Sequence, residues 1–190
     1  MGHRKTTEKL VFIALLVALS VVLGIFDNFL SSFASAQGVR LGLANIVILT
    51  GIYYLSFREA LLLVILKSVL SGLLFGQFMY FTISISGTLL SFFVMYFLLH
   101  LGKKAVSLIG ISVAGGISHN IGQIIALIFY NGLIVVFNLL WLIPFGIGTG
   151  VFVGYIVTLL KKYLDKGQVF QTITNKSKEK LDWEQIINGK

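Results

Sequence analysis

The stretch LIGISVAGGISHNIGQIIALIFY, residues 108–130, carries no Asp, Glu, Lys or Arg. A membrane-crossing helix needs about 20 predominantly apolar residues, and this run supplies them. Its small residues fall at four-residue spacing: Gly110, Ala114, Ser118, Gly122 and Ala126. Such a stripe lets helix backbones approach closely in lipid, where the hydrophobic effect no longer drives helices together. Within the same run stand His119, Asn120 and Gln123, polar side chains at membrane depth, with His119 and Gln123 on one helical face.

Outward from this run the pattern repeats. Apolar segments at 9–30, 41–57, 59–77, 80–101 and 133–162 complete a set of six candidate spans. The second is short, and the last is long enough to project from a bilayer. Between Leu10 and Leu160 the only charged residues are Asp27, Arg40, Arg58, Glu59, Lys67, Lys103 and Lys104. The chain is 57% hydrophobic and 12% charged, against about 25% charged in a soluble domain, and its mean hydropathy is +0.95. The expectation is an all-α integral membrane protein, a six-transmembrane-helix bundle. Residues 1–8 form a cytoplasmic N-terminal segment, 9–164 the membrane domain and 165–190 a polar cytoplasmic tail. In that tail Leu181, Trp183, Ile186 and Ile187 allow a short interfacial helix, although its polar composition fits a mostly disordered segment better. The run Leu10 to Leu23 follows Arg4, Lys5 and Lys9 as a signal peptide would, yet the apolar segment continues through Phe26 and Leu30, which suits a spanning helix. Ser31 to Arg40 reads as a re-entrant or surface loop.

The net charge of +8 has no nucleic-acid motif or basic stripe to go with it. Instead Arg4, Lys5, Lys9, Arg58, Lys103, Lys104, Lys161, Lys162 and Lys166 all fall on one side of a six-span topology, and Arg40 on the other. The positive-inside bias then places both termini in the cytoplasm of a cell-membrane protein. With no cysteine, disulfides, thiolate metal sites and thiol catalysis are excluded. No cofactor or metal site is expected.

Ionisable groups inside a membrane are costly and tend to face a cavity or a partner. Lys67 lies eight residues beyond Glu59, about 12 Å into its helix, and His119 is at a similar depth. Arg40 and Asn45 enter from the outer end of the second span, Ser84, Ser86 and Thr88 from the outer half of the fourth, and Asp27 from the first. Taken singly, Lys67 could snorkel and His119 could be a neutral residue bonded between helices. Together with Asn45, Ser84, Ser86, Asn120 and Gln123 they converge on the middle and outer half of the bundle. Arg40 and Lys67 against Asp27 make that region net positive, which suits an amphipathic anion, a carboxylate or phosphate on an apolar body.

Four segments carry a family resemblance: GVRLGLAN (38–45), KSVLSGLLFG (67–76), SISGTLLS (84–91) and GISVAGGISHNIGQ (110–123). Over roughly residues 8–162 the chain resembles the Gx transporter family, also described as heptaprenyl diphosphate synthase component I. That family is similar to the substrate-binding S components of energy-coupling factor transporters. The resemblance implies six helices that bind a vitamin or precursor near the outer face. It also implies an Ala-x-x-x-Ala pair on the first helix that docks a transmembrane coupling subunit driven by two cytoplasmic ATPases. Ala14 and Ala18 match that pair. No ligand signature of those S components is recognised in the chain.

The reading that follows is a substrate-capture membrane subunit for a small nutrient or cofactor precursor. It would have no ATP site of its own, since no Gly-x-x-x-x-Gly-Lys-Ser/Thr loop occurs. The alternative takes the synthase description literally. Prenyl diphosphate synthases hold magnesium-diphosphate on clustered aspartates, whereas the three aspartates here, Asp27, Asp165 and Asp182, form no cluster. An enzyme is therefore not expected, and the alternative becomes a non-catalytic accessory subunit of prenyl diphosphate or quinone synthesis, or of an associated electron-transfer assembly. A purely structural membrane protein would leave Lys67 and the His119 group without a purpose.

Overall fold

The computed structural model describes residues 2–33, 42–76, 78–101 and 106–164. Arg40, Lys103, Lys104 and the 165–190 tail lie outside them. The described residues form six α-helices: α1 (Gly2–Phe33), α2 (Asn45–Tyr54), α3 (Phe57–Phe75), α4 (Phe78–Leu101), α5 (Leu108–Asn131) and α6 (Leu139–Leu164), with a 3-10 helix at Leu133–Asn138 before α6.

Helix boundaries follow from local chemistry. Ser56 opens α3 with a capping box: it takes the Glu59 backbone N–H, while the Glu59 carboxylate accepts from the Ser56 N–H. Gly76 closes α3 in the left-handed conformation, φ +64°. Ser107 caps α5 by accepting from the Gly110 N–H at 3.1 Å.

Four segments are long and apolar enough to cross a bilayer: Lys9–Leu30, Phe78–His100, Leu108–Asn131 and Leu133–Leu164. The polarity of the fold is inverted relative to a water-soluble bundle. Leu15, Val22, Leu73, Phe97, Phe129 and Trp141 are exposed, whereas Asp27, Asn45, Lys67, Thr88, His119, Asn120 and Gln123 are buried. A soluble chain does the reverse, so the apolar exterior marks a membrane protein.

The other two helices differ from simple spans. The expected second span, 41–57, folds as only ten helical residues, about 15 Å. A tethered turn at Gly42–Ala44 precedes it and extended backbone at Leu55 ends it. Nine residues of α2 are buried, and it touches all five other α-helices. It is the axis of the fold. Helix α3 has 19 residues but carries Arg58, Glu59 and Lys67.

Glycine sets the closest helix approaches. A Cβ on Gly150 would lie 2.6 Å from the Val113 Cα and one on Gly154 2.7 Å from the Ile109 Cα, while one on Gly116 would run into the Gly146 carbonyl. The Gly146, Gly150 and Gly154 stripe is thus internal packing of α6 against α5. On α5 the expected stripe divides: Gly122 meets the α4 backbone at Ser86 and Gly87, whereas Gly110 meets only Val106 and Ser107. Ala14 and Ala18 are exposed on α1, so that small-residue pair does not serve internal packing.

Two apolar clusters stack along the bundle. One holds Leu49, Leu63, Phe92, Met95, Ile111 and Val157. The other holds Ile83, Ile124, Leu127, Val135 and Leu142. The polar side chains lie between them.

Candidate functional site

The site begins with Asp27, near the end of the apolar part of α1. Its Oδ2 accepts from the Gly42 N–H at 2.8 Å and the Leu43 N–H at 3.3 Å. Gly42 has φ +95°, a backbone conformation that an L side chain rarely adopts. The turn then closes on itself, with the Asn45 N–H donating to the Gly42 carbonyl at 2.9 Å and the Ile46 N–H to the Leu43 carbonyl at 3.1 Å. A carboxylate here also complements the positive end of the α2 dipole. The outcome is a helix that starts inside the bundle. Asn45 lies nine residues from Tyr54, about 13 Å above the other end of α2.

Lys67 reaches the same level. It lies ten residues into α3, about 15 Å from Phe57. It is 2% exposed, and its Nζ donates to Thr88 Oγ1 at 2.8 Å. His119 lies eleven residues into α5, about 16 Å from Leu108. Its ring is held between two glycines. A Cβ built on Gly42 would sit 3.3 Å from its Cδ2, and one on Gly87 3.1 Å from its Cε1. Asn45 shares the first of these points, since the same Gly42 Cβ would lie 3.1 Å from its Nδ2. Gln123 packs against Gly87 as well, its Cγ 2.8 Å from the position a Cβ would take there. Asn45, Lys67, Thr88, His119 and Gln123, from four helices, are thereby layered at mid-depth.

Not every expected residue joins them. Ser86 donates to the Gly122 carbonyl at 2.7 Å and holds α4 to α5. Asn120 turns to α6 and donates to the Leu142 carbonyl at 2.6 Å, in the turn that Pro144 interrupts. It also accepts a long 3.5 Å bond from Gln123 Nε2. Ser84 is 2% exposed and lies one turn before Thr88 on the same face of α4. Arg40 lies outside the described residues. Gly42, which makes room for Asn45 and His119, was not among the expected site residues, and Thr88, which grips Lys67, was read from the sequence only as one polar group of the fourth span. The four-residue step from Ser84 was the available signal for Thr88, and the glycine ahead of Asn45 for the turn.

The layer is closed: Asn45, Lys67, His119 and Gln123 are each at most 2% exposed. An open, almost wholly apolar depression lined by Phe93, Val94, Tyr96, Phe97 and His100 lies on α4, apart from this layer. Among the described residues no three of His, Asp and Glu come together as metal ligands would. What the layer offers is one buried cation, one carboxylate already engaged by backbone, two carboxamides and an imidazole. These groups orient and discriminate a ligand by hydrogen bonding. No curated protein and no solved structure matches the chain. The family model described as heptaprenyl diphosphate synthase component I matches residues 16–160, most of the chain, and the protein belongs to that family.

Proposed function

We propose that this protein is the substrate-binding membrane subunit of an uptake transporter for a small molecule: a vitamin, a cofactor, or an isoprenoid or quinone precursor. In this reading all six helices form the membrane bundle in the manner of an S component, with both termini cytoplasmic. The observation that carries it is the mid-depth layer of Asn45, Lys67, His119 and Gln123, closed between two apolar clusters. A bilayer protein with only structural needs gains little from burying a lysine and carboxamides where lipid-like side chains would fit. Lys67, with Arg40, holds an anionic part of the substrate, while Asn45, His119, Asn120 and Gln123 fix its orientation. The exposed Ala14 and Ala18 supply a docking face for a transmembrane coupling subunit with its cytoplasmic ATPases.

The chain is not itself an enzyme in this reading, because Asp27 is spent on the α2 turn and the sequence has no aspartate cluster. A second reading takes the family description as its starting point: a non-catalytic accessory subunit beside a prenyltransferase. Purification from native membranes separates the two. ATPases and a coupling subunit should accompany the protein under the first, a prenyltransferase under the second. Mass spectrometry of the same preparation should find a retained small molecule. Losing a charged hydrogen bond to a ligand costs about 2–5 kcal/mol when the other charge stays buried. Lys67→Met should therefore weaken binding roughly 30-fold or more, at about 1.4 kcal/mol per tenfold. A wild-type protein that retains nothing would sink the reading. If Lys67→Met and His119→Ala both bind like wild type, the site is elsewhere.

A further inference from the structure

Asn45 is the one carboxamide of the layer that the fold does not use. It is 2% exposed, and among the described residues neither its Nδ2 nor its Oδ1 has a hydrogen-bond partner. The contrast with Asn120 is direct, since that amide reaches the Leu142 carbonyl. The carbonyls just before Asn45 each already accept a backbone N–H: Gly42 from Asn45, Leu43 from Ile46, and Ala44 from Val47 and Ile48. A buried donor and a buried acceptor left unmade on one side chain are destabilising, and a leucine of similar shape would avoid that cost.

The charges of the layer point the same way. Asp27 and Lys67 are both buried, so the described part of the layer is balanced rather than strongly anion-selective. The Asn45 amide lies next to the Gly42 turn, and the His119 ring edge borders the same point.

We infer that the substrate presents a planar amide-type edge, an N–H beside a C=O as in a lactam, a ureido group or a pyrimidine ring. The Asn45 carboxamide pairs with that edge through two hydrogen bonds, its oxygen accepting and its Nδ2 donating. This rests on the substrate-binding reading above and deepens it. Asn45 selects the polar head by its edge, while Lys67 binds whatever anionic group accompanies it. A site built around a donor–acceptor pair rejects analogues that lack one member, because its own buried groups are then left unpaired.

The test uses the full chain purified from its native membranes, as wild type, Asn45→Leu and Lys67→Met. Two readouts are taken: the small molecule retained, by mass spectrometry, and the melting temperature after that molecule has been exchanged out. The retained compound is expected to contain the N–H/C=O edge, and Asn45→Leu to retain at least 10-fold less of it. Emptied Asn45→Leu should melt above emptied wild type, since an apolar side chain replaces an unsatisfied amide. If it melts lower, Asn45 serves the fold and the inference fails. A compound without such an edge, retained by wild type and lost in Lys67→Met, would overturn this inference while leaving the binding reading intact. Equal retention by Asn45→Leu overturns it as well. A wild type that retains no compound removes both.

Discussion

A lysine buried within a membrane protein either extends its ammonium to the interface or finds an acceptor at its own depth. Lys67 takes the second course, donating to Thr88 from a position 2% exposed. Hydrogen bonds to charged groups contribute about 1.5–3 kcal/mol, so Thr88→Val should destabilise the protein by about that much in a detergent unfolding assay. Combined with Lys67→Met, the Thr88 penalty should largely vanish, because the charge that needed the acceptor is gone. Additive penalties would mean that the pair does not act as a unit. At this scale depth was legible in the sequence and partnership was not. Counting residues from helix starts put Lys67 and His119 at one level. It could not tell that Ser86 would bond the Gly122 carbonyl or that Asn120 would reach Leu142 on α6. Those bonds depend on which neighbouring carbonyls come within reach, which is set by the close helix approaches at Gly87, Gly122 and Gly146.

Among the elements, α2 departs most from its expectation. An apolar run from 41 to 57 predicts a short span, but Asp27 pulls Gly42 and Leu43 into a turn and the helix starts only at Asn45. Sequence periodicity says nothing of a tether to a residue fifteen positions earlier. Asp27→Asn keeps the shape but loses the ionised acceptor, and should lower stability by about 1.5–3 kcal/mol while leaving helix content unchanged by circular dichroism. A melting temperature equal to wild type would show that the turn needs no tether. The small-residue stripes teach a related lesson, since spacing was legible and facing was not. Gly150 is pressed against Val113, whereas Ala14 and Ala18 look outward. Gly150→Leu should therefore cost at least about 1–3 kcal/mol through overpacking. The pair Ala14→Leu and Ala18→Leu should leave folding and binding unchanged and abolish association with a coupling subunit. Undiminished association of that double variant would remove the docking role from α1.

At the scale of the whole molecule the two ends of the bundle differ in charge. Lys9 pairs with Glu59 at 2.6 Å, joining the starts of α1 and α3, and Lys161 lies 5.1 Å above the Tyr53 ring, joining the ends of α6 and α2. The chain alternates direction from α2 onward, so both contacts belong to one end, along with Arg58 and the Ser107 cap of α5. The opposite end, with Gly76 and the Asn131–Gly132 corner, carries no lysine or arginine among its described residues. Lys and Arg are retained on the cytoplasmic side because translocating them is unfavourable, and the charged end is therefore expected to face the cytoplasm. The chain has no native cysteine, so single cysteines can be introduced without background. Asn131 and Ser107 are both exposed and stand at opposite ends of α5, one helix apart by about 36 Å. In intact cells a membrane-impermeant thiol reagent should label Asn131→Cys and spare Ser107→Cys until the membrane is permeabilised. The reverse pattern would invert the protein in the bilayer and count against the docking role proposed for Ala14 and Ala18. Labelling of both in intact cells would mean that α5 does not cross the membrane at all, and the layer built around His119 would then lie at an interface rather than at mid-depth.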